Sequence, residues 1–354
     1  NQFAGYVSIS RGLAPPVKLF FWVVMSDKDP RKDPVVLWMN GGPGSSSLYG
    51  LFVQWGPYRI DYPHERSKVT FRKNDYPMTK KMTWVFLEQP SGTGFSTGGP
   101  NVQDSDTAAK DISSFITALL QPTTTFKMAD GDLSLNGREL HIAGESFGGH
   151  WLPALGSYMV SIGQHTAVNL SSFILGNSLI DVSLMGDAIY QLLCGPSPLK
   201  LPNANQLAVD MRCRRDMPTW KRNCDPAIVT CQNHPNPTNC NAAYAACAQS
   251  WGEGWSGRFH RDVYDVSRTE KENTDSNNFY SQKWAVFMNK PDRKTRFGVT
   301  PGPKRNPDSD AMIGRYSDSG DWMKSYIPNL ENILKAKIDF LLYAVSAPLI
   351  AKHD

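Results

Sequence analysis

The segment from Glu139 to Gly149, ELHIAGESFGG, constrains the fold more than any other stretch of this chain. Its first residues are apolar and typical of a strand, and the pentapeptide GESFG, residues 144–148, follows them directly. Apolar residues then recur at helical spacing from Trp151 to Met159. This order predicts a nucleophile elbow, in which a sharp strand-to-helix turn holds the hydroxyl of Ser146 clear of the sheet. A plain glycine-rich turn is the alternative, and the flanking strand and helix favour the elbow.

Length and composition predict a folded chain and exclude some partners. The 354 residues are 40% hydrophobic and 11% aromatic, which is enough for a sizeable core. The formal net charge of +4 is mild and the basic residues are scattered, so we expect no nucleic-acid partner. The longest apolar runs, Val17 to Met25 and Phe340 to Ala351, fall short of the ~20 residues that span a bilayer, so we expect no membrane partner. The chain starts at Asn1, and we expect any signal peptide to have been removed or never included.

Seven apolar runs predict the strands of one sheet. The first two, Phe3 to Ser10 and Val17 to Ser26, are predicted to pair antiparallel. The other five are shorter and of the buried type, and they are Val35 to Asn40, Trp84 to Glu88, Leu140 to Gly144, Phe173 to Gly176 and Ile338 to Ala344. An amphipathic helix over Ala108 to Leu120 is predicted to start at an N-cap, Asp104 or Ser105. The alternation of strands and helices predicts a mostly parallel central sheet with helices on both faces.

A long insertion interrupts this pattern. Residues 182–337 are too many for a simple connection and must contain structure of their own. We interpret residues 1–181 as the first part of the core, 182–337 as a lid over the carboxyl ends of the strands, and 338–354 as a return to the core. All six cysteines of the chain lie in the insertion, namely Cys194, Cys213, Cys224, Cys231, Cys240 and Cys247. Disulfides are favoured over zinc, because no CxxC pair is present and only His234 lies within the cysteine window.

The cysteine cluster and one glycosylation sequon predict the same compartment. Asn169-Leu170-Ser171 is the only N-glycosylation sequon whose middle residue is permitted. Disulfides persist in oxidising compartments. We therefore expect a protein of the secretory pathway, either extracellular or in a vacuole or lysosome, with Asn169 as a glycosylation site.

A second glycine-rich turn, WMNGGPGSSS from Trp38 to Ser47, follows the strand that begins at Val35. Acyl transfer needs two hydrogen-bond donors aimed at the developing oxyanion, and an elbow supplies only the N–H after the nucleophile. A bare glycine loop that leaves a neighbouring strand can supply the other donor. A tight turn without a catalytic role is the alternative.

Several long motifs, in this order along the chain, resemble the serine carboxypeptidases, which are α/β-hydrolase peptidases that remove C-terminal amino acids. The motifs are Gly5-Tyr6, WMNGGPGSSSLYGLF from Trp38, FLEQPSGTGFS from Phe86, GESFGGHWLP from Gly144, ILGNSLID from Ile174 and SGDWMKSY from Ser319. The resemblance implies an α/β-hydrolase fold with a disulfide-rich lid, paired as Cys194–Cys213, Cys224–Cys247 and Cys231–Cys240. Ser45 stands where the family usually has a cysteine, so we expect one further bridge to the core to be missing.

The resemblance also implies roles for individual residues. Ser146 resembles the nucleophile, and the N–H groups of Gly42 and Phe147 resemble the oxyanion hole. The residues that resemble the site for the substrate's free carboxylate are Asn40, Gly41 and Glu145, with Gln54 and Trp38 beside them. A carboxyl group binds a carboxylate only while it keeps its own proton, so an acidic pH optimum is expected. Relatives typically have a second glutamate at the position of Gln54, and we expect the amide of Gln54 to lower the pKa of Glu145.

The acid and the base of the family's triad are not found. The family's acid follows the last strand in a stretch that reads YAGD, whereas residues 343–348 read YAVSAP and place Ser346 at the acid position. The chain ends at Asp354, before the segment that would carry the catalytic histidine, so we expect the C-terminal part of the fold to be missing. Substitute bases are His150 or a pair formed by His353 and Asp354, each weighed against a purely structural role.

The implied function is a serine-type carboxypeptidase that acts on peptide or protein C-termini through an acyl-enzyme, without a metal or organic cofactor. Because the acid and base are not found, two alternatives remain. One is a catalytically inactive carboxypeptidase-like protein that binds a peptide or a partner, and the other is a carboxypeptidase-like acyltransferase. The oligomeric state is not predicted.

Overall fold

The computed structural model describes residues 1–12, 15–61, 69–198, 206–251, 269, 284–299 and 310–344. The predicted acid position Ser346 and the pair His353 and Asp354 lie outside the described residues. The chain divides into two compact units. The first unit draws on residues 1–178, 279–315 and 326–343, and the second on residues 179–278, 316–325 and the chain from 344 onward. Parts of the predicted insertion, including 284–299, thus belong to the first unit.

The first unit is built on a seven-stranded sheet with two hairpins beside it. The strands in chain order are β1 (Gln2–Ile9), β2 (Val17–Val24), β3 (Val35–Met39), β4 (Tyr58–Asp61), β5 (Thr70–Lys73), β6 (Thr83–Leu87), β7 (Thr125–Met128), β8 (Gly131–Ser134), β9 (Leu140–Glu145), β10 (Leu170–Gly176) and β11 (Asp339–Tyr343). The order across the sheet is β1-β2-β6-β3-β9-β10-β11, and the hairpins are β4-β5 and β7-β8. Strand β2 pairs antiparallel with both β1 and β6. The pairs β6-β3, β3-β9, β9-β10 and β10-β11 are parallel. The seven predicted runs are the seven strands of the sheet.

Among the described residues, helices follow β6, β9 and β10, and further helices lie in the predicted insertion. They are α1 (Ser105–Leu119), α2 (Gly148–Ser161), α3 (Gln164–Ala167), α4 (Val182–Cys194), α5 (Gln206–Asn233), α6 (Pro237–Trp251), α7 (Trp284–Met288), α8 (Pro291–Arg296), α9 (Asp310–Asp318) and α10 (Ile327–Lys335). A π-helix covers Gly50–Trp55. Asp104 is the N-cap of α1, because its carboxylate accepts a hydrogen bond of 2.7 Å from the N–H of Thr107. Within the described residues, no helix combines the length and hydropathy needed to cross a bilayer.

Helices cover both faces of the central sheet. Successive side chains of a strand point to opposite faces, and β2 shows what packs on each. Phe21 contacts Phe115 of α1, with ring centroids 5.6 Å apart. Trp22 points the other way and contacts Phe297, directly after α8, at 4.6 Å. The prediction of an α/β fold with a mostly parallel, doubly covered sheet is therefore confirmed.

Strand β9 holds the centre of the parallel part of the sheet. It pairs with β3 on one side and β10 on the other, aligning Met39 with Gly144 and Gly176 with Glu145. Because parallel strands end at the same edge, the chain leaves β3, β9 and β10 at neighbouring points. The two glycine-rich turns predicted from the sequence therefore meet at one edge of the sheet.

The second unit contains all six cysteines, paired in three disulfides. Cys194–Cys213 joins α4 to α5, and the pairs Cys224–Cys247 and Cys231–Cys240 both join α5 to α6. The Cα atoms of the pairs are 5.3, 4.9 and 4.6 Å apart, within the usual range for disulfides. The pairing implied by the family resemblance is confirmed.

Candidate active site

The predicted elbow is present between β9 and α2. Ser146 has φ 57°, in the left-handed region that residues other than glycine rarely occupy, and its side chain is exposed. The N–H of Ser146 donates to the carbonyl of Gly176 at 3.1 Å, and its carbonyl accepts from Gly149 at 3.0 Å in the first turn of α2. These bonds fix the strained backbone on both sides, so the turn presents the serine hydroxyl at the edge of the sheet.

The glycine loop after β3 packs directly against this elbow. A Cβ on Gly41 would lie 2.5 Å from the nitrogen of Phe147 and 2.7 Å from Cβ of Ser146. Gly42 has φ 114°, a conformation that favours glycine. The loop and the elbow therefore leave no room for a side chain at position 41, and both predicted oxyanion donors lie in neighbouring segments.

A hydrogen-bonded cluster surrounds Glu145, the residue before the serine. Asn40 donates from Nδ2 to one carboxylate oxygen of Glu145 at 2.6 Å, and Gln54 donates from Nε2 to the other at 2.9 Å. Trp38 donates from Nε1 to Oδ1 of Asn40 at 2.7 Å. The structure thus brings together the residues that the resemblance groups around a substrate carboxylate.

Two residues that the sequence reasoning missed support Gln54. The carbonyl of Gln54 accepts from Nη2 of Arg59 at 2.9 Å and from Nδ2 of Asn74 at 3.4 Å. Asn74 also donates to the carbonyl of Gly56 at 2.8 Å. The two side chains hold the end of the π-helix in place, and no motif in the sequence marks them.

The expected effect of Gln54 on the pKa of Glu145 is confirmed, but burial of the carboxyl group opposes it. The bonds from Gln54 and Asn40 lower the pKa, as donors to a carboxylate do. Burial of Glu145 outweighs them, and the pKa of Glu145 is raised above its ordinary value. Burial depends on the packing of several segments, which the sequence does not show.

The Glu145→Gln variant is expected to gain stability relative to the wild type as the pH rises. Burial raises the pKa of Glu145 in the folded state, so protonation of this carboxyl group favours the folded protein. Its contribution to the free energy of unfolding is fully present below the unfolded-state pKa of 4.5 and is lost as the pH rises through the folded-state pKa. Glutamine has no such titration. Urea unfolding of both proteins at about pH 4 and about pH 8 measures the difference. The exposed Glu331→Gln on α10 controls for the substitution itself, and a difference for Glu145→Gln that is independent of pH would contradict the expectation.

The structure does not identify a base for Ser146. Among the described residues, the Ser146 hydroxyl has no hydrogen-bond partner. His150 is fully buried, and its ring lies between Phe147 and Tyr326 with centroid distances of 4.4 and 4.6 Å. This stacking supports the structural role for His150. Across the described part of the chain, no group of three or more His, Cys, Asp or Glu residues is placed to hold a metal ion.

Comparisons with known proteins agree with the geometry. A family model described as serine carboxypeptidase matches residues 1–351. Carboxypeptidase Y homolog A of Botryotinia fuckeliana is 31% identical over 353 residues, which cover 99% of this chain and 59% of the relative. The homolog of Aspergillus clavatus is 32% identical over 356 residues, covering 99% and 60%. This chain therefore spans about three fifths of the length of these curated relatives.

A solved structure is similar in fold. It is Kex1(delta)p, a prohormone-processing carboxypeptidase from Saccharomyces cerevisiae, with a TM-score of 0.63 and 18% sequence identity. The match covers 97% of this chain and 73% of that one. At this identity the likeness bears on the fold alone.

Proposed function

This chain belongs to the serine carboxypeptidase family, and from that premise we propose that it releases C-terminal amino acids from peptides or proteins through an acyl-enzyme on Ser146. One observation carries the proposal. The carboxyl group of Glu145, held by Asn40 and Gln54, is adjacent in sequence to an exposed serine at a strained turn. This arrangement supports a site for a free C-terminus beside a nucleophilic serine.

In the proposed reaction, Oγ of Ser146 attacks the carbonyl carbon of the last peptide bond. The N–H groups of Gly42 and Phe147 donate to the oxygen that becomes negative, and Gly41 lets these two segments meet. Protonated Glu145 and the amide of Asn40 donate to the substrate's terminal carboxylate. The raised pKa of Glu145 supports this role, because it extends the pH range over which the carboxyl group keeps its proton. A base must take the serine proton and return one to the departing amine.

The proposal is tested with an N-acylated peptide that has a free C-terminus and with the same peptide as its C-terminal amide. We expect release of the terminal amino acid from the free acid, faster at acidic pH, and no release by Ser146→Ala. A wild type that binds the free acid without releasing an amino acid would contradict turnover. That result would instead support the alternative raised by the sequence, an inactive relative that binds peptides.

We further propose that the protein matures in the secretory pathway and carries a glycan on Asn169. Three disulfides support an oxidising compartment. Asn169 is exposed in the turn before β10, with φ 51°. It precedes β10, so it lies at the end of the sheet opposite the candidate active site.

Secretion from a eukaryotic host is expected to yield a protein whose electrophoretic mobility increases after endoglycosidase treatment. The Asn169→Gln variant is expected to lose this shift, whereas Asn101→Gln, also exposed but outside any sequon, is expected to retain it. Wild-type protein that migrates identically with and without the enzyme would contradict glycosylation at Asn169.

A further inference from the structure

Tyr343, the last residue of β11, lies level with the candidate active site. The register aligns Tyr343 with Gly176 on β10, and Gly176 with Glu145 on β9. Residues at one level of neighbouring parallel strands point to the same face of a sheet. The side chains of Tyr343 and Glu145 therefore share a face, and only a glycine stands between them.

The glycine at position 176 makes room for the phenol ring. A Cβ on Gly176 would lie 2.2 Å from Cζ and 2.3 Å from the hydroxyl oxygen of Tyr343. The ring of Tyr343 is thus in contact with the backbone of β10. Neighbouring strands are about 4.8 Å apart, so a ring that lies over β10 brings its hydroxyl towards the strand that carries Glu145.

The backbone around Gly176 connects this ring to the elbow. The carbonyl of Gly176 accepts from the N–H of Ser146 at 3.1 Å, and the carbonyl of Tyr343 accepts from the N–H of Asn177 at 2.9 Å. The ends of β9, β10 and β11 are therefore hydrogen-bonded to one another next to the serine. This arrangement fixes where the phenol lies relative to Ser146 and Glu145.

The hydroxyl of Tyr343 is available to a ligand. Within the described residues it makes no hydrogen bond, and the residue is only partly buried. Both oxygens of Glu145 already accept hydrogen bonds, from Asn40 and Gln54. Burial raises the pKa of Tyr343 and the negative charge of Glu145 raises it further, which agrees with their proximity and keeps the phenol a hydrogen-bond donor.

We propose that Tyr343 is a further substrate-binding residue, whose hydroxyl donates a hydrogen bond to the free C-terminal carboxylate of the peptide bound beside Glu145. The inference rests on the proposed function, because it assumes that a peptide's C-terminal carboxylate binds at the face of the sheet that Tyr343 and Glu145 share. Gly176 then has a part in specificity as well, since a side chain at that position would displace the ring.

Calorimetric binding of N-acetylphenylalanine and of its amide, which lacks the carboxylate, tests the role of the hydroxyl. Both ligands are measured at mildly acidic pH on the Ser146→Ala background, so that neither is hydrolysed. Tyr343→Phe, which removes only the hydroxyl, is expected to weaken binding of the acid about tenfold and to leave binding of the amide unchanged. Tyr76→Phe, at a side chain 83% exposed, is the matched control and is expected to change neither.

The ratio of acid to amide affinity separates binding from a structural role, because loss of packing would weaken both ligands alike. Equal weakening of both, or an unchanged ratio in Tyr343→Phe, would overturn the role of Tyr343 while leaving the proposed function in place. A parent protein that does not prefer the acid to the amide would overturn both.

Discussion

Gly41→Ala is expected to reduce the rate at which a fluorophosphonate modifies Ser146 by about 100-fold or more. The added Cβ would lie 2.5 Å from the nitrogen of Phe147, 2.7 Å from Cβ of Ser146 and 2.8 Å from the carbonyl oxygen of Glu145. Two of these three atoms are backbone atoms at a turn that hydrogen bonds already fix, so they cannot yield as a flexible side chain would. The glycine loop must move away instead, and the two predicted oxyanion donors then no longer converge.

Gly314→Ala is the matched control for this prediction. A Cβ at that position, in helix α9, meets no atom within 4 Å. Alanine is the better helix former, so the control is expected to unfold at the same or a slightly higher urea concentration and to be labelled at the wild-type rate. Labelling of Gly41→Ala within twofold of the wild type would show that the close approach of loop and elbow is not needed for reactivity.

Arg138→Met is expected to lower the free energy of unfolding by about 3 kcal/mol. Arg138 is 7% exposed. Its guanidinium donates from Nε to the carbonyl of Asp33 at 2.8 Å, from Nη1 to the carbonyl of Pro30 at 2.7 Å and from Nη2 to Oγ1 of Thr83 at 3.1 Å. Methionine fills most of the space but donates nothing, so two partly buried carbonyls and the buried hydroxyl of Thr83 lose a charged donor. The loop before β3 would lose these hydrogen bonds to the segment that leads into β9.

Arg31→Met is the matched control, since Arg31 also donates to several carbonyls, those of Asp130, Gly131 and Asp132. Its side chain is 41% exposed, so water can replace the lost bonds, and the expected loss is below about 1 kcal/mol. Urea unfolding of the two variants measures the difference. Equal losses would mean that burial does not decide the strength of these contacts.

The strands and the elbow could be predicted because each is encoded in contiguous residues. The runs that became β3 and β6 are buried at every residue, as a sheet covered on both sides requires. The loop from Trp38 and the elbow at Ser146 are single motifs. Because β3 and β9 pair in parallel, as the alternation of strands and helices implies, the loop and the elbow lie together at the same edge of the sheet.

The features that the sequence did not predict depend on contacts between segments that are distant in the chain. Arg59 and Asn74 support Gln54 from a hairpin of short, largely exposed strands that give no clear period. Segment 284–299 belongs to the first unit through contacts such as Phe297 with Trp22, which sequence position within the insertion could not show. The position of Tyr343 level with Glu145 is visible only once the register across β9, β10 and β11 is known.

The most direct test of the account is the stoichiometry and position of fluorophosphonate labelling in the wild-type protein. An exposed serine at a strained turn, next to the loop that carries Gly42, is predicted to take up one phosphonyl group per chain. Peptide mapping should locate that group on Ser146, and Ser146→Ala should take up none. A folded wild type that remains unlabelled, or that is labelled at another residue, would contradict the assignment of Ser146 as the nucleophile.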